Sequence, residues 1–488
     1  MSKFIALVKN ETIKLSLRMG TIILLIIAFI ASAGICVLSW ISMNIEDTWY
    51  YERDDMYYVK MNLEELKNNK PKESDEKELA QWEIDVAELE FRVEHNISWS
   101  DWRSNFLYMV FGSYRLVYGD KTLQPLGDEA KQMLIDQDWR ALYELMLERM
   151  DIELKYEEYG YSDEQIERFK WFYRYSLDKD ISPVEGDWKY AIANELQYLK
   201  SDLADMEENE EAGSNSGDDN AKLEEYKDKI ALYEYRIDND VSRNVSYSGL
   251  FDDMMMMSYG YEKTPTDIWK MLNACIMMFP FMSVFVIIIA GGLVSGEFSS
   301  GTIKFLLINP VKRWKILVSK YIVMLMAGAA FLAVVFGVFF FLGGALTGFQ
   351  NMGAVNLTVS KQVISSTPAF IYFFKLLLLG SVNVFVMATM AFALSAATRN
   401  TGLSIAVSIA ALIGGNIINM IMRFIVQVDW GRYLIFANVD LVTIVHGGST
   451  PLDAPYPGQT LAFSIGVIAV HMVIFLLMAW DGFTKREL

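Results

Sequence analysis

The sequence has almost no cysteine, little histidine and little proline. Its 488 residues include two cysteines, three histidines and ten prolines. The scattered histidines provide no metal-ligand spacing, and two cysteines cannot form a disulfide-rich secreted scaffold. Cys36 and Cys275 each lie toward one end of an apolar segment, which would allow one disulfide. We expect two buried, reduced side chains instead.

Catalytic and nucleotide-binding patterns are also missing. The phosphate loop G-x-x-x-x-G-K-[ST] occurs nowhere, and Gly119-Asp-Lys-Thr122 lacks its first glycine at the required offset. The apolar segments contain no central acidic residue, which disfavours coupling to an ion gradient. His471 stands alone, so an intramembrane enzyme is disfavoured as well. We therefore expect no enzyme, no metal site and no cofactor in this chain.

Charge and hydrophobicity divide the chain into two parts. The whole sequence is 53% hydrophobic yet has a formal charge of −18. Residues 42–265 contain 53 Asp and Glu against 26 Lys and Arg, whereas the remainder contains 8 against 17. An acidic, water-exposed segment therefore interrupts a basic, apolar frame. The net negative charge of this segment favours capture of a cationic ligand. Runs of like charge more often only keep a surface solvated, however.

Six apolar runs are long enough to cross about 30 Å of hydrocarbon. They are 20–41, 269–294, 317–345, 369–396, 402–424 and 459–480. We predict an all-α, six-helix polytopic membrane protein with an amphipathic interfacial helix at 1–19. Its remaining segments are the acidic domain 42–265, loops 295–316 and 346–368, a re-entrant segment 425–458 and a tail 481–488.

Lysines and arginines near the span ends predict the orientation. Lys3 to Arg18, Lys304 to Lys320, Arg399 and Lys485-Arg486 all fall on one side, which we assign to the cytoplasm. Both termini are then cytoplasmic and residues 42–265 extracellular. Few cysteines and a compact apolar frame favour a bacterial plasma membrane.

The acidic segment contains an internal repeat. Residues 79–94 align with 223–238 at a shift of 144, and 96–100 echo 244–248. Apolar residues spaced 3 and 4 apart flank a break in each copy, which predicts two helical hairpins at 56–95 and 190–238. Residues 97–188 are expected to form a mainly helical connector.

The loop between the second and third spans has the most informative pattern. Glu297 leaves the membrane, and Gly301-Thr302 opens a short amphipathic helix that ends at Pro310. This segment resembles the first cytoplasmic loop of ABC-2 type ABC-transporter permeases. The matching residues are Glu297, Gly301, Thr302, Leu306, Leu307, Pro310, Arg313 and Lys320. Lys312 departs from the family, which often has a small residue there.

The resemblance implies a transport function. It implies that Gly301 to Pro310 contact a separate ATPase subunit that holds ATP and Mg²⁺, while Arg313 and Lys320 meet anionic lipid. It also implies pairing with a second permease copy or a paralogue. An amphipathic cargo is expected, such as an antimicrobial peptide, an antibiotic or a lipid. The alternative is a receptor whose acidic hairpins bind a cationic ligand; no nucleic-acid partner is expected.

Overall fold

The chain is mostly helical along the part that the structure describes. A computed structural model describes residues 2–51, 55–72, 76–112, 127–153, 162–184, 187–211, 217–246, 266–301, 312–446 and 455–484. Helix α1 (Ser2–Ser16) leads into the long helix α2 (Met19–Tyr51). The acidic segment then supplies α3 (Asp55–Asn68), α4 (Glu76–Glu94), α5 (Ser104–Phe111), α6 (Gly127–Asp136), α7 (Trp139–Glu153), α8 (Asp163–Asp178), α9 (Trp188–Glu211) and α10 (Gly217–Asp238).

Helices α3 to α10, here the acidic domain, pack around cores of their own. Helix α3 packs against α4, and α9 against α10, as two helical hairpins. Lys200 pairs with Glu234 at 2.8 Å and Lys227 with Glu207 at 3.0 Å. Later positions on α9 thus pair with earlier positions on α10, so the two helices are antiparallel. Tyr143 of α7 lies in the aromatic centre, and its burial raises the pKa of the phenol. The acidic surface thus covers an ordinary apolar interior.

The two helical hairpins each end in a turn of the same type. The N–H of Ile97 donates to the carbonyl of Arg92 at 2.8 Å after α4, and that of Val241 to Arg236 at 2.8 Å after α10. Both arginine side chains are buried, and they donate to the carbonyls of Ser98 and Ser242. An amide that reaches back five positions is a standard helix C-terminal motif. Each corresponding pair is separated by 144 residues, the shift at which the hairpin sequences align.

The second sequence echo is not a structural correspondence. Asn96 takes a left-handed conformation in the turn after α4 (φ 50°), and Asp240 takes that place after α10 (φ 53°). Asn244 instead forms a bridge with Val355 and accepts an amide from Leu357 at 2.8 Å. The alignment of 96–100 with 244–248 is wrong because it slips by four residues from the repeat. Residues 247 and 248 lie outside the described residues.

The apolar part of the chain supplies the remaining elements. They are α11 (Ile268–Met277), α12 (Phe279–Leu293), α13 (Ser295–Ser299), α14 (Arg313–Val338), α15 (Ala369–Thr398), α16 (Thr401–Met420), α17 (Leu441–His446) and α18 (Leu461–Thr484). Helix α14 continues through a π-helical turn (Phe339–Gly343) and an α-turn (Gly344–Thr347), and α16 through a π-helical turn (Ile421–Ile425). Two 3-10 turns, Asp429–Tyr433 and Ile435–Ala437, precede α17.

Five of the described helices are long and apolar enough to cross a membrane. They are α2, α14, α15, α16 and α18. Helix α15 packs against both α12 and α18, and the apolar core of this part lies around it. The large fully buried side chains there include Trp269, Phe279, Phe331 and Phe392. The protein is therefore a multi-pass membrane protein.

The predicted second span is not one straight helix. Helices α11 and α12 meet at Met278 and are bent by 43°, and only together do they have the length and apolarity of a span. Pro280 lies in the first turn of α12, a position that needs no helical N–H. In a helix that continued from α11, its missing N–H would remove a hydrogen bond and its ring would crowd the preceding turn. The span predicted at 269–294 is therefore divided into two helices at this proline.

Residues 346–368, expected to form a loop, contain a β-hairpin. Strand β1 (Val355–Ser360) pairs antiparallel with β2 (Val363–Pro368). Lys361 and Gln362 form the two-residue turn with φ of 50° and 62°, the left-handed pair that matches strand twist in tight hairpins. This hairpin lies between α14 and α15, so the all-α description holds for the described part of the chain apart from these residues.

The acidic domain is attached to the membrane helices through polar contacts. Asp267, fully buried at the start of α11, accepts from Arg243 at 2.7 Å and from Asn351 at 3.1 Å. Asp228 of α10 accepts the backbone amides of the β1–β2 turn. Because these contacts reach α11, the segment after α14 and the hairpin before α15, the second helical hairpin is fixed to three parts of the bundle.

Candidate coupling site

Four charged side chains meet where α1, α13 and α14 converge, here the buried charge cluster: Glu11, Lys14, Glu297 and Lys320. The ammonium of Lys320 lies 2.8 Å from Glu11 Oε2 and 3.2 Å from Glu297 Oε1. Lys14 also reaches Glu297 Oε1, at 2.5 Å. The Lys320 side chain is 1% exposed and that of Lys14 is 57% exposed. The cluster therefore has a buried centre and one exposed cation.

The cluster is balanced in charge and joins segments far apart in sequence. Two carboxylates face two ammonium groups, which satisfies the rule that buried charges must be paired. Lys320 lies two turns into α14, and Glu297 lies in the short helix α13 directly after α12. Residues 302–311, which lie outside the described residues, connect those two helices. The cluster thus ties both ends of this connection to each other and to α1.

The structure brings together two of the residues singled out from the sequence and corrects the role of one. Glu297 and Lys320, the first and last positions of the permease-like pattern, form an ion pair. The expectation that Lys320 meets anionic lipid was wrong, because its side chain is enclosed by α1 and bonded to two carboxylates. Glu11 and Lys14 were missed. Their only sequence signal is two charges on the amphipathic helix, which suits exposed residues equally well.

The other predicted site residues fall at or beyond the edges of the connection. Gly301 has φ 71°, a left-handed conformation that suits glycine at the end of α13. Arg313 is the first residue of α14 and is half-buried. Four members of the pattern, Thr302, Leu306, Leu307 and Pro310, lie outside the described residues.

A second contact, made of hydroxyl groups, lies beside α13. Ser295 and Ser395 both donate to the carbonyl of Gly291 at 2.6 Å, and the hydroxyl of Ser295 lies 2.7 Å from that of Thr401. The N–H of Ser295 donates to Ser395 at 3.0 Å. The start of α13 is therefore bonded to the end of α15 and the start of α16. Small polar residues in apolar runs gave no sequence signal for this cluster.

The same end of the bundle is tightly packed. A Cβ at Gly291 would come within 2.7 Å of Ile405, and one at Gly482 within 2.8 Å of the backbone of Ala397. Arg399, one of the residues expected on the cytoplasmic side, ends α15 with φ 56° and places its guanidinium 4.5 Å from the ring centre of Phe298. Helices α12, α15, α16 and α18 thus meet here with little free space.

The described residues contain no group of three or more His, Cys, Asp or Glu side chains that could hold a metal ion. Cys36 and Cys275 are both buried and both free thiols. The contacts described at this site are ion pairs, hydroxyl hydrogen bonds and close helix packing.

Comparison with known proteins identifies relatives of the membrane part. The family described as "Protein of unknown function (DUF2705)" matches residues 246–488. The uncharacterized protein YhcI of Bacillus subtilis (strain 168) is 32% identical over 269 residues, which are 54% of this chain and 76% of that protein. The chain belongs to the DUF2705 family. The uncharacterized membrane protein YdbK of the same organism is 33% identical over 209 residues, covering 41% of this chain and 75% of YdbK. No solved structure matches the chain.

Only part of the candidate site lies within the range that the family model matches. The DUF2705 part begins at Ser246, after α10, and contains Glu297, Lys320 and the hydroxyl contact of Ser295 with Ser395. Helix α1, with Glu11 and Lys14, and the helices of the acidic domain lie before it. In this DUF2705 protein the buried charge cluster therefore joins the family region to an N-terminal helix outside the matched range.

Proposed function

We propose that this DUF2705 chain is the transmembrane permease subunit of an ABC exporter, in which a separate subunit hydrolyses ATP. The observation that supports this most directly is the ion pair between Glu297 and Lys320. It closes the permease-like connection at its two ends and fastens both ends to α1 through Glu11. A force applied to residues 302–311 would move α13, α14 and α1 as one unit.

The hydroxyl contact supplies a route from that unit to the rest of the bundle. Helix α13 is bonded to the end of α15 and the start of α16 through Ser295, Ser395 and Thr401. Helix α15 in turn packs along α12 and α18. Because interiors packed this closely shift as units, a displacement of α13 is passed on to helices that contribute no residue to the connection.

In this proposal the bent pair α11–α12 is one span, which gives six. Both termini and residues 302–311 are cytoplasmic, and the acidic domain is extracellular. A cytoplasmic ATPase subunit holds ATP and Mg²⁺ and seats the segment from Gly301 to Pro310. A second permease copy or paralogue completes the transport path.

The proposed cargo is an amphipathic molecule such as an antimicrobial peptide, an antibiotic or a lipid. The acidic domain is the part suited to a cationic peptide, since residues 42–265 carry 53 acidic against 26 basic side chains. A field of this sign attracts positive charge and raises its local concentration. Cargo enters from the bilayer or its surface.

The test is co-purification of an ATPase. The tagged full-length chain would be extracted from its native membrane in mild detergent, and bound proteins identified by mass spectrometry and ATP hydrolysis. One variant replaces Gly301–Pro310 with a Gly/Ser stretch of equal length. A control variant makes the same replacement at residues 69–75, in the connection between α3 and α4.

An ABC ATPase should accompany the unaltered chain and the control variant and should be lost from the Gly301–Pro310 variant. If no ATPase accompanies any of the three, the proposal fails, and a ligand-binding receptor becomes the better account of the acidic domain. If the ATPase accompanies all three, residues 301–310 are not its docking segment.

A further inference from the structure

An open apolar groove lies between α1 and α14. It has a volume of about 470 Å³. From α1 it is lined by residues that include Phe4, Val8, Lys9 and Thr12, and from α14 by Ile322 and Met326. The Thr12 hydroxyl donates to the carbonyl of Val8 at 2.9 Å, so it offers the groove no free donor. The walls are hydrocarbon, which suits neither water nor a polar ligand.

The outer rim of the groove combines exposed apolar surface with one cation. Ile5 is 61% exposed and Ile13 is 45% exposed. Lys9 lies between them on the same helical row, since residues four apart share one face, and it is exposed. No ion pair within the described residues uses Lys9. A ligand of this groove must therefore cover the apolar side chains of Ile5 and Ile13 and also neutralise the Lys9 ammonium between them.

We propose that this groove binds one anionic phospholipid, whose acyl chain lies against Val8, Ile322 and Met326 and whose phosphate pairs with Lys9. An acyl chain meets the hydrocarbon walls without leaving a polar group unpaired. The phosphate supplies an anionic partner for the Lys9 ammonium, and basic residues beside membrane helices select anionic headgroups. The site is separate from the buried charge cluster and does not depend on transport activity or on the identity of an ATPase.

The lipid would also influence the position of α1. Glu11 lies on α1 within one turn of both Val8 and Lys9, and it bonds to Lys320 of α14. A chain lodged between α1 and α14 fills space on the same helix pair that this ion pair joins. Binding therefore stabilises α1 against α14 from the groove side while the ion pair holds it from the bundle side.

The experiment measures lipid retention by the full-length chain. The protein purified in detergent micelles is titrated with phosphatidylglycerol or phosphatidylcholine of identical acyl chains, and bound lipids are counted by native mass spectrometry. Thermal unfolding with each lipid gives a second readout, because a ligand of the folded state raises Tm. The variants are Lys9→Gln, which removes the cation, and Ile13→Trp, which fills the groove from an exposed position.

The controls are Lys72→Gln, an exposed lysine of the acidic domain, and Ala6→Trp, an exposed position of α1 outside the groove. The native chain should retain phosphatidylglycerol in preference to phosphatidylcholine and be stabilised more by it. Lys9→Gln should weaken phosphatidylglycerol binding about fivefold, the contribution of one basic residue near an anionic surface, and leave phosphatidylcholine unchanged. Ile13→Trp should lose both lipids, and the controls neither.

Three results would overturn the proposal. Equal retention of the two lipids by the native chain would show that no anionic headgroup is recognised. Unchanged phosphatidylglycerol binding by Ile13→Trp would place the lipid elsewhere. A lipid-free dimer that Ile13→Trp dissociates would mean that a second copy of the chain occupies the groove.

Discussion

Lys320 shows how a single charged residue can define a site that its sequence context does not reveal. Its ammonium is removed from solvent and faces Glu11 and Glu297. A buried ion pair is weak evidence for stability by itself, yet removing one partner is costly because the other charge stays buried and unpaired. Lys14, whose side chain is 57% exposed, is screened by solvent and contributes less.

Replacing Lys320 by methionine should therefore destabilise the protein strongly. Lys320→Met keeps the length of the side chain but leaves Glu11 without its cation, and the expected loss is about 3–5 kcal/mol. Adding Glu11→Gln should recover much of this loss, since Glu297 then keeps Lys14 and no carboxylate is left alone. Thermal unfolding of the purified chain in detergent micelles would measure both variants.

Lys315→Met, on the same helix but half-buried and clear of the two carboxylates, is the matched control, with an expected change within about 0.5 kcal/mol. A Tm of Lys320→Met equal to that of the native chain would contradict the buried charge cluster. So would a double variant less stable than Lys320→Met alone.

The sequence predicted the importance of Glu297 and Lys320 but not their contact. Both residues belong to the permease-like pattern, so their positions were visible. Their pairing depends on how α13 packs against α14. The burial of Lys320 also depends on α1 lying against α14, a tertiary contact between residues 11 and 320 that no local pattern encodes. Lysine near the end of a predicted span is usually explained by headgroup contact, and that general rule gave the wrong environment for Lys320.

At the scale of elements, the β1–β2 hairpin is the part least visible in the sequence. Its strands are short and rich in serine and threonine, and only β1 alternates apolar with polar residues, through Val355, Leu357 and Val359. Its turn residues, Lys361 and Gln362, are not the asparagine and glycine that usually mark a two-residue turn. The break at Pro280 was readable, by contrast, because proline inside a helix removes a backbone hydrogen bond and crowds the preceding turn. The break was overlooked because residues 269–294 are long and apolar enough to be counted as one span.

Asp228 should determine how tightly the β1–β2 turn is held against α10. Its carboxylate accepts the amide of Gln362 at 2.6 Å and that of Lys361 at 3.2 Å. Asp228→Ala removes both acceptors while leaving α10 a good helix. With about 1.5 kcal/mol for a hydrogen bond to a charged group, the two turn amides should exchange with deuterium roughly tenfold faster, as measured by mass spectrometry of peptides covering 355–368.

Glu224→Ala serves as the control, because Glu224 is an exposed acid on the same helix. It should leave exchange in the hairpin unchanged. Equal exchange in Asp228→Ala and the native chain would mean that β1–β2 is held by its other contacts, those of Asn244 and Val245, and that α10 adds nothing.

At the scale of the whole molecule, the separation of charge along the chain decides where each part lies. The net negative segment folds into a domain with its own apolar cores, and the net positive remainder forms the helices that suit a membrane. Composition alone was enough to predict this division, because about 20 consecutive apolar residues have few other uses. The direction of insertion depends instead on lysine and arginine near the span ends.

The direction of insertion can be measured by labelling introduced cysteines. Cys36 and Cys275 are both fully buried, so neither should react with a membrane-impermeant maleimide. New cysteines can then be placed at exposed positions: Lys72→Cys and Glu224→Cys in the acidic domain, and Asn10→Cys on α1. In intact cells the first two should be labelled and the third should not. After permeabilisation all three should react, and the unaltered chain should remain unlabelled throughout.

The opposite pattern would have a specific consequence. If Asn10→Cys is labelled in intact cells while Lys72→Cys is not, α1, α13 and the connection 302–311 face away from the cytoplasm. An ATPase that uses cytoplasmic ATP could then not reach the segment closed by Glu297 and Lys320, and the permease proposal would fail on topology alone. Labelling of the acidic domain only would leave the buried charge cluster on the side where ATP is available, which is the condition that coupling requires.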